Sequence, residues 1–459
     1  MFSAFDIAVA IGLTSVFFYT YEPLTQLVGY FSPYWIVPIV LYYFYYCYFA
    51  SYYYRQPSAF TQPRRMMGKT LPAFPNGWFM VSKSKDLPKG GVKYVSQSGM
   101  HVALFRGEDG IAYAVDAYCP HIGANLGIGG KVVHQTCIQC PFHGWEFDGK
   151  TGKLVNGREK KPLQTAKYVY SEKVGEAQIV PSERLVLSGD EQTSVSTWKV
   201  KEMYGYIFVW AHALKQDPEY EPFDITEFTK RLPFRGTSIN VINSHVQDIV
   251  ENGGDVKHFL YVHSALLPFT DFVGATWRAK WRPADDPNLL KELHHDIPWV
   301  QAYKEKLFQR FLNDKNRKHI GCLSLDNFVT LGSCKPIFFF NASVFQVGPG
   351  LVYLFLISPF YEAVFFQHTT QVGKYSNEVF HELYASGYLP YCVSALFLRL
   401  ESQQVMNDGI IWDNKKFGLE PRLRKDLDSD AMILLWRRWF AQFYEGCREK
   451  EESEGKYVW

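Results

Sequence analysis

Apolar positions crowd the start of the chain and then break up into short, alternating runs. Residues 4–20 and 29–54 are strongly apolar, and the second run contains WIVPIVLYYFYYCYFASYYY without a charge. A helix that crosses a bilayer needs about 20 such residues, so the pattern predicts a membrane anchor over residues 1–54. The first run is shorter and carries Asp6; it spans, lies in the interface or packs beside the second. A cleaved signal peptide would need a basic start and a small-residue cleavage site, and neither is visible. A buried hairpin is the other alternative. Tyrosines gather at the end of the second run, as at a headgroup boundary. Arg55, Arg64, Arg65 and Lys69 follow, with no Lys or Arg before them. Basic flanks stay on the cytoplasmic side, so the rest of the chain is expected in the cytosol.

Pro57, Pro63, Pro72 and Pro75 make residues 55–76 an expected extended linker. From Gly77 the period changes. Val92–Val95, His101–Arg106, Ala112–Asp116 and Tyr204–Trp210 read as short strands separated by glycine-containing turns, which predicts a small all-β domain over 77–215. Beyond it, residues 216–459 mix helices and strands. The apolar runs 337–347 and 351–358 flank Gly348-Pro349-Gly350, a hairpin signal. Phe338-Phe339-Phe340 either line a greasy cavity or pack in a core. Residues 430–446 have helical periodicity, and the charged tail after Cys447 is expected to fray. The fold class is therefore α+β.

Composition narrows the function. A length of 459 residues accommodates two or three domains. A net charge of +2 offers no footprint for nucleic acid. Aromatics at 17% favour an apolar, flat substrate or a membrane-facing surface. Eight scattered cysteines are no disulfide framework, and a thiolate-held metal suits a reducing compartment.

The chemistry begins at Cys119-Pro-His121 and Cys140-Pro-Phe-His143, two Cys-His pairs with eighteen residues between them. Such mixed ligands favour zinc or iron–sulfur. Zinc fingers usually pair cysteines first and histidines last. One of each per loop suits a [2Fe–2S] cluster whose two irons take two cysteines and two histidines. Gly123, Gly127, Gly129, Gly130 and Gly144 allow close backbone approach, and Pro120 and Pro141 stiffen the loops. Cys137, three before Cys140, leaves open a disulfide or zinc knuckle.

A second constellation lies in NSHVQDIVENGGDVKHFLYVHS, residues 243–264, with Glu251, Asp255, His258 and His263. Asp255 and His258 would share a helix face. His258 and His263, about 140° apart on a regular helix, need the helix to widen or end near Phe259 before they can share a metal. Two histidines and a carboxylate leave open positions on Fe(II), as in non-haem oxygenases. Satisfied core histidines are the plain alternative.

Taken together, C-x-H…C-x-x-H and E-x3-D-x2-H-x4-H resemble the Rieske-type non-haem iron oxygenases. The apolar N-terminus with CPHIGANLGIGG, CPFHGWEF and ENGGDVKHFLYVH resembles one branch, the cholesterol 7-desaturase (Neverland) family. The resemblance implies that Cys119, His121, Cys140 and His143 hold the [2Fe–2S] cluster, with Cys137 no ligand. It implies mononuclear iron on His258, His263 and a downstream carboxylate. Asp408, with Ile-Ile-Trp412 after it, is the expected carboxylate, and Glu401 and Asp413 are alternatives. It gives Asp255 the part of an electron bridge between His258 and His143 of the partner subunit, in a head-to-tail homotrimer. His134, His212, His245, His294, His295, His319, His368 and His381 fit no ligand pattern and read as core or surface.

The implied fold is a Rieske domain followed by a helix-grip (START-like) antiparallel sheet. The implied activity is conversion of cholesterol to 7-dehydrocholesterol in steroid hormone biosynthesis. It uses O2 and electrons from NAD(P)H through a separate reductase, at a membrane, expectedly the endoplasmic reticulum. The alternatives are a Rieske hydroxylase of another steroid, lipid or pigment, and a pure Rieske electron-transfer protein.

Overall fold

The computed structural model describes residues 71–155, 166–170, 177–181, 193–267, 270–331, 338–387, 391–415, 421–424 and 426–453, the strand Tyr52–Gln56, and the single positions Pro38, Leu41, Tyr42 and Pro336. The chain divides into two compact units. One is Met80–Trp210; the other joins residues 1–79 to 211–459.

The smaller unit is built of short antiparallel strands. Val92–Gln97, Met100–Arg106, Ala112–Asp116 and Thr197–Trp198 form one sheet. Lys131–Val133, Cys137–Gln139 and Glu146–Asp148 form another. Phe105, Val115, Leu126, Ile138 and Phe147 are fully buried between them and pack around Cys119 and Cys140. The first Cys-His loop follows Ala112–Asp116, and the second joins Cys137–Gln139 to Glu146–Asp148. The strand expected from Tyr204 starts instead at Tyr206, because Tyr204 and Gly205 turn at φ 36° and 87°.

The described residues of the larger unit include a nine-stranded sheet set against a long helix. From Phe234–Ile242 onward its neighbours are antiparallel. The expected hairpin is present as Phe338–Val347 and Leu351–Ile357, turning at Gly348 with φ 65°. Period two sorts the strands by face. Leu323, Leu325 and Asn327 on one strand, and Phe338, Phe340 and Ala342 on the next, line a cavity of about 520 Å³. Between the latter, Phe339 points the other way, onto Phe328 and Trp299. The helix Tyr391–Asn414 closes the cavity with Phe397, Glu401, Gln404 and Asp408, a stripe at the helical spacing.

Three expectations change. The anchor over 1–54 lies almost wholly outside the described residues, among which no helix is long and apolar enough to cross a membrane. Its end is not a helix at a headgroup boundary: Tyr52–Gln56 is an edge strand running parallel to Phe234–Ile242. The linker over 55–76 is not free at its described ends either. Arg55 pairs with Glu378. The Pro72 carbonyl meets His245 Nε2 at 3.0 Å, and the Ala73 carbonyl accepts from Gln371 Nε2 at 2.7 Å. Buried side chains thus satisfy the backbone of residues 72–73 and seat them in the body. The charged tail forms a helix, Cys447–Ser453, held where Glu451 accepts the Ala73 N–H.

Candidate active site

The two Cys-His loops are built alike. In each, the cysteine N–H donates to the carbonyl five residues on: Cys119 to Ala124 at 2.8 Å, Cys140 to Trp145 at 2.6 Å. In each, the glycine four residues on donates back to the cysteine carbonyl: Gly123 at 2.9 Å, Gly144 at 3.1 Å. Both glycines sit at φ 81° and 75°, a left-handed region open to glycine at little cost. The closed turns bury the thiols of Cys119 and Cys140 and leave His121 and His143 exposed. The imidazoles lie 4.7 Å apart, and His121 stacks on Trp145 at 4.5 Å.

This donor set fits a [2Fe–2S] cluster. Burial pushes the Cys119 thiol up to about 11, so its thiolate needs a metal beside it. Ligands on one zinc would crowd together. Among the described residues the group of ligand atoms mutually within 4.8 Å lies elsewhere, as expected if these four are shared between two irons. Cys137 is a buried free thiol, paired with Cys140 in no disulfide.

That close group is His258, His263 and Asp408, whose ligand atoms lie within 4.8 Å of one another. The segment carrying the histidines is not one helix. A helix Val246–Val250 passes into a 3-10 turn Glu251–Gly253, then a non-helical stretch, then a four-residue helix Phe259–Val262. His258 precedes that last helix and His263 ends it, so their rings approach to 5.0 Å. The shared helix face expected for Asp255 and His258 is replaced by a turn. In it the Asp255 carbonyl, not its carboxylate, takes the His258 Nδ1–H.

Each imidazole is held by its far nitrogen. His263 Nδ1 donates to Gln404 Oε1 at 2.7 Å, and its Nε2 lies 3.2 Å from Asp408 Oδ2. His258 Nε2 is buried with no hydrogen-bond partner among the described residues. An orphaned buried acceptor facing a carboxylate and a second imidazole is what a metal would satisfy. Burial lowers the His258 pKa, which keeps the ring neutral and its lone pair available. Asn252 Nδ2 donates to Asp408 Oδ2 at 2.8 Å and orients the carboxylate. These residues fit a mononuclear iron, and three ligands leave positions open on it.

The remaining candidates take other places. Glu251 accepts two bonds from Arg437, at 2.7 and 2.8 Å, and ties the metal-binding segment to the helix Asp428–Phe440. Asp413 accepts the Asn243 N–H at 3.0 Å. Glu401 lines the cavity outside the close group. Of the histidines read as core or surface, His381 lines the cavity too. Gln404 and Asn252 were missed; Gln404, four before Asp408 on one helix, had a detectable spacing.

A Cys2His2 cluster domain joined to a sheet domain with a two-histidine, one-carboxylate site defines a Rieske non-haem iron oxygenase. Residues 77–167 match the Rieske [2Fe-2S] domain, and residues 209–444 match the 3-ketosteroid 9alpha-hydroxylase C-terminal domain. The chain is 31% identical over 410 residues to cholesterol 7-desaturase nvd 2 of Ciona intestinalis, covering 87% of this chain and 78% of that protein. It is 32% identical over 395 residues to the cholesterol 7-desaturase of Caenorhabditis elegans, covering 85% and 82%. The solved dicamba monooxygenase shares the fold, with a TM-score of 0.50 at 14% identity, over 82% of this chain and 98% of that one. The chain belongs to the cholesterol 7-desaturase family. Its cofactors are a Rieske cluster, a mononuclear iron and O2, with electrons from a separate source.

Proposed function

We propose that this chain is a sterol desaturase that converts cholesterol to 7-dehydrocholesterol for steroid hormone biosynthesis. The observation that carries the reading is the His258, His263 and Asp408 group at the wall of an aromatic and aliphatic cavity of about 520 Å³. That volume lies within the range of ligand pockets, and the relatives named above are cholesterol 7-desaturases. Overall, cholesterol, O2, NAD(P)H and a proton give 7-dehydrocholesterol, NAD(P)+ and two waters. When bound, the cluster supplies single electrons and the iron binds and reduces O2.

The chain's residues bind, orient and shield. The turn at Asp255 and the side chains of Gln404 and Asn252 set the three ligands. Trp277 donates its indole N–H to the His263 carbonyl at 2.8 Å, while its ring packs on Phe259 at 5.5 Å. The apolar walls exclude water and place one C–H bond of the substrate, so pose decides between desaturation and hydroxylation.

The sheet over the long helix supports a helix-grip reading of this domain. The half-buried Asp255, whose own carbonyl holds His258 Nδ1, supports this residue as the bridge to His143 of the partner subunit in a homotrimer. The apolar runs in residues 4–20 and 29–51, the second without a charge, support anchoring in the endoplasmic reticulum membrane with the body cytosolic. There a separate reductase delivers the electrons.

Sterol profiling of cells expressing the protein or its His263→Ala variant tests the reading. A Δ7 sterol should accumulate only with the intact protein. An unchanged sterol profile, or an alcohol as the sole product, would overturn it.

A further inference from the structure

The long helix turns two carboxylates toward the same cavity. Asp408 belongs to the metal group. Glu401 stands seven residues earlier, two turns and about 10.5 Å along the axis, at nearly the same angle around it. Its Oε1 lies 3.2 Å from His381 Nε2, and its Oε2 3.4 Å from the Ser238 hydroxyl. The same His381 nitrogen lies 3.0 Å from Gln367 Oε1. With its Nε2–H directed at these two acceptors, His381 keeps a bare Nδ1, buried and without a hydrogen-bond partner among the described residues. Gln367, His381 and Glu401 all line the cavity, and a quarter of the Glu401 side-chain surface is open. The neighbours are apolar: Phe365 lies 6.4 Å from His381 and 5.5 Å from Phe397.

A polar cluster in such walls has a high cost unless something satisfies it. Burial holds the His381 pKa at about 3 and raises that of Glu401 to about 8. At neutral pH the pair is therefore uncharged, a carboxylic acid that donates and accepts beside a neutral imidazole. An alcohol, which also donates and accepts, is the matching ligand group.

We propose that Glu401, backed by His381 and Gln367, is the hydroxyl-recognition point of this cavity, and that its two-turn offset from Asp408 sets which carbons of an otherwise apolar ligand face the metal site. The inference rests on the sterol reading above. Cholesterol has one hydroxyl, on its first ring, and its C7–C8 bond lies in the second, so a hydroxyl held at Glu401 leaves the reacting bond toward Asp408.

The test is equilibrium binding of radiolabelled cholesterol and of cholest-5-ene, which lacks the hydroxyl, to the intact iron-loaded protein in detergent. The wild type should bind cholesterol about tenfold or more tighter than cholest-5-ene. Glu401→Leu should erase most of that ratio by weakening cholesterol alone, with cholest-5-ene binding reporting the fold. Glu401→Gln, which keeps a donor and an acceptor, should retain part of it, and decides the matter if the leucine variant binds neither sterol. A preserved ratio in the variants overturns the proposal. A wild type that binds both sterols equally overturns it while leaving the sterol reading standing. A wild type that binds neither overturns both.

Discussion

Two hydrogen bonds decide which nitrogen each iron-facing histidine presents. Gln404 takes the Nδ1–H of His263, and the Asp255 carbonyl takes that of His258. Both rings are thereby held as tautomers with Nε2 bare. Such supporting contacts are worth about 10–100-fold in metal affinity or activity. Replacing Gln404 by leucine should therefore weaken the mononuclear iron by about that factor and leave the cluster spectrum untouched. Titration with Fe(II) under anaerobic conditions checks it; an unchanged affinity would remove Gln404 from the role. At this scale the cysteine and histidine candidates were legible because those residue types stand at telling spacings, whereas Asp408 rested on a resemblance, with Glu401 and Asp413 as alternatives. Asn252 was not legible, since an amide carries no such signal and its partner Asp408 lies 156 residues away; Gln404 offered only its four-residue spacing from Asp408, with its partner His263 141 residues away. His381 was read as core or surface for the same reason: its place on the cavity wall follows from sheet register, which its neighbours in sequence do not reveal.

At the scale of elements, the metal-binding segment is a series of short pieces pinned from outside. Glu251 is tied to Arg437, and Gly254 passes so close to the helix Asp428–Phe440 that a Cβ there would stand 2.5 Å from Trp436 Cβ. Trp436 is fully buried and stacked on Phe440 at 4.5 Å, so it has little room to yield. Gly254→Ala should destabilise the larger unit by about 1–3 kcal/mol. A thermal melt should show a lower midpoint, with mononuclear iron released before cluster absorbance is lost; an unchanged midpoint would contradict the packing account. Elements with a clean period, such as Ala112–Asp116 and the hairpin around Gly348, were readable in advance. Tyr52–Gln56 was not. Its tyrosines and arginine fit an interface as well as an edge strand, and its partner strand begins at Phe234, far along the chain. Residues 72–73 were equally opaque, because His245 and Gln371, which meet their carbonyls, are local to nothing in that stretch.

For the whole molecule, the two units carry different chemistry. The smaller one buries the Cys119 and Cys140 thiols and exposes the His121 and His143 imidazoles, an arrangement for accepting and passing single electrons at a surface. The larger one encloses its ligand group beside an apolar cavity, an arrangement for acting on a greasy substrate away from water. The order of the two domains was plain from two motifs. The cavity was not, because it is assembled from one face of many strands and one stripe of a helix. Neither unit alone accounts for an oxygenase, so the central claim is that one chain holds both kinds of iron. Iron and zinc analysis of anaerobically purified protein, with electron paramagnetic resonance of the reduced sample, tests it most directly in the wild type and His263→Ala. The account predicts about three irons per wild-type chain and a reducible cluster signal, and in the variant the loss of one iron with the signal intact. Stoichiometric zinc with no reducible signal, or an unchanged iron count in the variant, would contradict it.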